Sequence, residues 1–173
     1  MVHRLLSKYH ANANARGPRG WAPIHLAAGA GDVESVRTLL DFGADPLLKV
    51  NYRNDKPGVA PSLSALKVAV ASGHRAVVEL LLQRGANANE KDNQGWTPLH
   101  TATKNGQAEI LRLLLEHGAD VSTKVKYADD DNTAPASLTA LMLAAEFGHV
   151  ESAKVLIQFG ARVTDVDSRL KLL

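Results

Sequence analysis

The feature that most constrains this chain is a duplication inside it. Residues 49–66 read KVNYRNDKPGVAPSLSAL, and seventy-five residues later positions 124–141 read KVKYADDDNTAPASLTAL. The two stretches share their ends and differ in their centres. The same offset relates Leu5-Leu6 and His10-Ala11-Asn12-Ala13-Asn14 to Leu80-Leu81 and Gly85-Ala86-Asn87-Ala88-Asn89. A shorter repeat runs inside the longer one. Gly20-Trp21-Ala22-Pro23-Ile24-His25-Leu26-Ala27, Leu63-Ser64-Ala65-Leu66-Lys67-Val68-Ala69, Gly95-Trp96-Thr97-Pro98-Leu99-His100-Thr101-Ala102 and Leu138-Thr139-Ala140-Leu141-Met142-Leu143-Ala144 align. Each is followed at a fixed offset by a glycine (Gly31, Gly73, Gly106, Gly148) and then by an apolar stretch ending in Gly-Ala at 43, 85, 118 and 160. These endings are spaced by 42, 33 and 42 residues. A repeat of this length is one supersecondary unit that buries its apolar face only against its neighbours.

The local chemistry predicts two helices per repeat. Pro23 and Pro98 suit a first helical position, where a missing N–H costs nothing. Thr97, Ser64 and Thr139 occupy the N-cap slot before their helices. The glycines suit helix ends in the left-handed conformation. First helices are placed near 23–30, 65–72, 98–105 and 140–147. Second helices are placed near 33–42, 75–84, 108–117 and 150–159, with a leftover helix near 2–9. The pairs Leu39-Leu40, Leu81-Leu82, Leu114-Leu115 and Val155-Leu156 supply the apolar faces.

A 33-residue repeat carrying Thr-Pro-Leu-His-x-Ala resembles the ankyrin repeat. The segments from Gly95 to Ala102 and from Leu113 to Asp120 carry the closest likeness, and the resemblance extends over nearly the whole chain. It implies an all-α ankyrin-repeat solenoid of stacked helix-turn-helix units with β-hairpin or loop connections. Two of those loops are enlarged by nine residues. The expected organisation is one ankyrin-repeat domain over 1–173. It comprises a partial repeat at about 1–16, repeats at about 17–49, 50–91, 92–124 and 125–167, and a tail at 168–173.

Several function classes are disfavoured. The formal net charge is +2, and no block of like charges suggests nucleic acid or an anionic membrane. No apolar run approaches the roughly 18 residues of a membrane span. There is no cysteine. With no recognisable secretory signal either, an intracellular, cytoplasmic location is the expectation. No catalytic site, metal site or cofactor is expected. Five of the seven histidines, His25, His74, His100, His117 and His149, fall at repeat positions along the stack and so do not converge on one site. Asp129-Asp130-Asp131-Asn132 lacks the central glycine and distal glutamate of a calcium loop. Asn14 and Asn89 stand where many ankyrin proteins are hydroxylated, without the usual acidic neighbour; the plainer reading is a turn-forming asparagine.

The resemblance instead implies a non-enzymatic scaffold that binds a partner protein through the concave face of the stack. Carried onto this chain, the loop positions are Arg19, Trp21, Asn93, Gln94 and Trp96. The first-helix positions are Ala71, Ser72, Lys104, Asn105, Glu146 and Phe147, the phenylalanine expected to be exposed. The enlarged loops add Tyr52, Arg53, Lys56, Tyr127, Asp129, Asp130 and Asp131. Their shared ends are expected to dock on the stack, and their centres, one leaning basic and one acidic, either to project as binding tips or to be tolerated surface insertions. The tryptophans suit binding hot spots and loop packing equally. An alternative reading is a spacer or oligomerisation segment of a longer array. In that case the N-terminal half repeat, expected to expose the face a first helix would cover, and Met142, Leu143, Val155 and Ile157 in the last helix pair would serve end-to-end self-association.

Overall fold

The computed structural model describes residues 2–17, 20–51, 62–127 and 136–163. The enlarged-loop residues Tyr52, Arg53, Lys56, Asp129, Asp130 and Asp131, together with Arg19, lie outside the described residues. The chain divides into two compact units, Met1–Asn87 and Ala88–Leu173.

The first unit contains α1 (Val2–Tyr9), α2 (Pro23–Ala30), α3 (Val33–Asp41), the strands β1 (Lys49–Asn51) and β2 (Ser62–Ser64), then α4 (Ala65–Ala71) and α5 (Arg75–Gln83). The second contains α6 (Pro98–Lys104), α7 (Ala108–Glu116), β3 (Lys124–Tyr127), β4 (Ala136–Thr139), α8 (Ala140–Glu146) and α9 (Val150–Gln158). Every expected helix is present, with ends within one residue of the sequence reading.

The caps explain why they begin and end there. Thr97 Oγ1 accepts from the His100 backbone N–H while Pro98 fills the first helical position, and Ser64 and Thr139 cap α4 and α8 in the same way. At the end of α6, Gly106 adopts φ +65° and the Gln107 N–H reaches back to the Ala102 carbonyl. That left-handed turn folds each second helix against the first.

Layers then stack. In the first unit α2 packs on α4, and α3 packs on both α1 and α5. In the second, α6 packs on α8 and α7 on α9. The apolar faces are buried as expected: Leu39, Leu81, Leu114 and Leu156 are almost wholly inaccessible. Each such leucine contributes roughly 1.5–3 kcal/mol through burial.

The shared ends of the duplicated stretches are the arms of two antiparallel hairpins in identical register. Lys49 faces Ser64 and Val50 faces Leu63; Lys124 faces Thr139 and Val125 faces Leu138. Val50 and Val125 are buried and anchor the arms. Of the loop ends expected to dock on the stack, Val50, Val125 and Leu138 are buried in this way.

Candidate functional site

A concavity among the described residues lies in the second unit and is built on the loop before α6. Asp92 Oδ1 accepts from the backbone N–H groups of Gln94 and Trp96, both at 2.9 Å. The Gly95 N–H bonds the Asp92 carbonyl at 3.0 Å, and Gly95 has φ +83°, a conformation that glycine supplies at low cost. This turn holds Asn93 and Gln94 outward and directs Trp96 back onto the repeat. The indole meets the His100 ring edge-on, with centroids 6.0 Å apart, and packs against the buried cluster of Val125, Leu138 and Leu143.

His100 locks that arrangement from inside. Its Nε2–H donates to the Thr123 carbonyl at 3.1 Å, and its Nδ1 accepts from the Thr97 N–H at 3.2 Å. The carbonyl partner requires the proton on Nε2. One buried imidazole thus ties the start of α6 to the entry of β3.

At the far end of α6, the Lys104 ammonium lies 5.6 Å from the Trp96 ring centroid and 5.8 Å from that of Phe147. Each contact is worth about 0.5–1 kcal/mol at an exposed position, enough to bias the lysine without immobilising it. Phe147 stacks on His149 at 6.2 Å, and His149 Nε2–H donates to the Lys104 carbonyl at 2.9 Å. The His149 ring lies so close to Gly106 that a Cβ there would approach Nδ1 to 2.7 Å.

Asp92, Asn93, Gln94, Trp96, Thr101, Lys104 and Lys126 line a pocket of about 600 Å³. Lys126 reaches it because β3 alternates: Val125 turns into the core, while Lys124 and Lys126 are exposed on the other side.

Four sequence-identified residues, Asn93, Gln94, Trp96 and Lys104, therefore come together at the pocket, with Phe147 joined to them through Lys104. Phe147 is half-buried rather than exposed, because it rests on His149 and the Val125 cluster. Asn105 and Glu146 are exposed but do not line the pocket. Trp21 belongs to the first unit, where it meets His25 edge-on at 5.8 Å. Tyr127 is the last residue of β3. Asp92, Thr101 and Lys126 were not singled out in the sequence. Two signals were available: the Asp-x-x-Gly turn, and the Lys-Val-Lys alternation about a core valine.

The first unit repeats the same skeleton. His25 Nε2–H donates to the Leu48 carbonyl at 3.0 Å, and His74 Nε2–H to the Gly29 carbonyl at 3.0 Å. His25 is fully buried, and its pKa is lowered, chiefly by that burial. Asn14 and Asn89 also correspond. The Asn14 amide donates to the Gly43 carbonyl and accepts from the Asp45 N–H; Asn89 does the same with Gly118 and Asp120, at 2.7 Å in both bonds. Each asparagine therefore joins successive repeats, a larger role than shaping its own turn.

Among the described residues, no group of three or more His, Cys, Asp or Glu side chains could hold a metal ion, and no helix is long and apolar enough to cross a membrane.

The family model described as ankyrin repeats (3 copies) matches this chain over residues 1–92, 47–125 and 66–167. The chain belongs to the ankyrin-repeat family, whose members are generally protein-interaction modules. It is 38% identical over 98 residues to the ankyrin repeat and KH domain-containing protein mask of Drosophila melanogaster, covering 57% of this chain and 2% of that protein. It is 32% identical over 156 residues to the ankyrin repeat and KH domain-containing protein CBG24701 of Caenorhabditis briggsae, covering 90% of this chain and 5% of that protein. The Drosophila melanogaster transient receptor potential channel pyrexia is 32% identical over 126 residues, covering 59% of this chain and 13% of that protein. The chain thus spans a small part of the length of each of these relatives.

Proposed function

We propose that this chain is a non-enzymatic scaffold that holds a partner protein on the loop and first-helix face of its second unit, around Trp96, Lys104 and Phe147. One observation carries the reading. The two units share their histidine bridges and hairpin register, yet their lining residues differ. At the positions of Asp92, Thr101, Lys104, Lys126 and Phe147 the first unit has Gly17, Leu26, Gly29, Asn51 and Ser72, and only the tryptophan recurs, as Trp21. The repeat skeleton therefore folds without the cluster. A lysine set between two aromatic rings beside an open pocket is the residue chemistry of a binding hot spot. The divergent loop centres, Tyr52, Arg53 and Lys56 in one and Asp129, Asp130 and Asp131 in the other, extend the same reading as recognition tips.

The test is affinity capture from cell extract with the full chain and with W96A/F147S and W21A variants, each first checked for helical content. Loss of a specific partner with W96A/F147S and retention with W21A is the expected pattern. Equal retention by all three would place binding elsewhere.

A second reading rests on α9, where Val150 and Ile157 are 63% and 49% exposed. Of the four residues assigned to end-to-end association, Leu143 and Val155 are buried in the unit's own core and Met142 is half-buried, which leaves Ile157. Sedimentation that stays monomeric at high concentration would remove this reading.

A further inference from the structure

We propose that the Trp96 pocket receives the carboxylate of an acidic side chain on an extended segment of the partner protein. This rests on the functional reading above and specifies the chemistry of its ligand.

The pocket combines two cations with neutral hydrogen-bonding groups and one aromatic wall. Lys104 and Lys126 contribute two positive charges, and Asp92 contributes one negative charge. The Asp92 carboxylate faces its own loop, with Oδ1 accepting the N–H groups of Gln94 and Trp96, so part of its charge is directed at those donors. The lysines line the pocket from different elements, the end of α6 and strand β3, so both charges favour a small anionic group held there. The side-chain amides of Asn93 and Gln94, both exposed, can donate to and accept from the backbone of an extended chain. Trp96 is half-buried, and the part of its ring left open by Lys104 and the core suits an apolar side chain beside the acidic one.

The volume of about 600 Å³ accommodates a few side chains rather than a folded surface. A nucleic acid is a poorer fit. It would need a basic stripe to follow its backbone, whereas the whole chain carries only +2. The first unit is an internal contrast: at the positions of Lys104 and Lys126 it has Gly29 and Asn51, so the charge pair is confined to one of two otherwise similar skeletons.

A phage-displayed random peptide library panned on the full chain tests this directly. The expected result is enrichment of peptides carrying Asp or Glu beside an aromatic or aliphatic residue. Their affinity should fall at least about tenfold in K104E/K126E, by a smaller factor in K104Q/K126Q, and with rising salt. All substituted positions are exposed, and circular dichroism of each variant checks that the helices remain. Enrichment of neutral or basic peptides would overturn the proposal, as would acidic peptides indifferent to both lysine variants. Absence of any enriched peptide would also overturn it, and partner capture by the full chain would then show that the broader binding reading survives. Tighter, lysine-dependent binding of a single-stranded oligouridine than of any acidic peptide would replace the partner class altogether.

Discussion

Replacing Gly106 by alanine should cost far more than replacing Gly118, although both residues end a helix in the same way. Gly106 has φ +65° and Gly118 φ +81°, and in each case the following N–H returns to a carbonyl of the preceding helix. An alanine in the left-handed region costs about 1–2 kcal/mol, partly offset by a gain of about 0.4–1 kcal/mol from a stiffer unfolded chain. For G118A that is the whole effect, since a Cβ there meets nothing within 4 Å. At Gly106 the Cβ would come within 2.7 Å of His149 Nδ1 and 2.8 Å of Cε1. The imidazole must move, which breaks its hydrogen bond to the Lys104 carbonyl and its stack on Phe147. Losing that bond adds about 1–2 kcal/mol. The expected ordering is G118A mild and G106A severe, read by urea unfolding with circular dichroism. A double-mutant cycle isolates the cause. In an H149A background the cost of G106A should fall to that of G118A, a coupling of about 1–2 kcal/mol. Equal costs for the two glycines, or additivity in the cycle, would refute the reasoning.

Other expectations follow from the same interactions. His25 has a lowered pKa because of burial, so the unfolded chain takes up this proton first as pH falls; the histidine's contribution is complete above about pH 6.5 and is lost on acidification below it, by up to about 1.4 kcal/mol per pH unit. Wild type should therefore lose more stability than H25N between neutral pH and mild acid in urea titrations. T97A removes the oxygen that caps α6 and accepts from the His100 N–H, and should destabilise by about 0.5–2 kcal/mol in the same assay. L114A empties a fully buried site between layers and should cost about 2–5 kcal/mol in thermal or urea unfolding.

The helices were legible because their signals are local. A capping hydroxyl, a proline at the first position and a glycine at the end act within a few residues; the glycine recurs in all four repeats, the capping hydroxyl in three and the proline in two. The histidines were readable as structural for the same reason. The pocket was only half legible. Trp96 and Lys104 sit at recognisable repeat positions, whereas Lys126 reaches the pocket from a strand whose direction depends on Val125 being buried. Phe147 was misjudged because its exposure depends on His149, which is held by a bond to α6 rather than by anything near it in sequence. Long-range packing of this kind leaves little mark on local sequence pattern. The role of Asn14 and Asn89 was understated likewise, since both of their partners lie about thirty residues away, in the next repeat.

The most direct test of the account is site-specific photo-crosslinking of the captured partner. A photoreactive residue would be placed at Gln94, beside the pocket, and in a separate protein at Glu116, an exposed position on α7. The account predicts a partner adduct from position 94 that disappears in K104E/K126E, and none from position 116. An adduct from position 116 with none from 94 would contradict it.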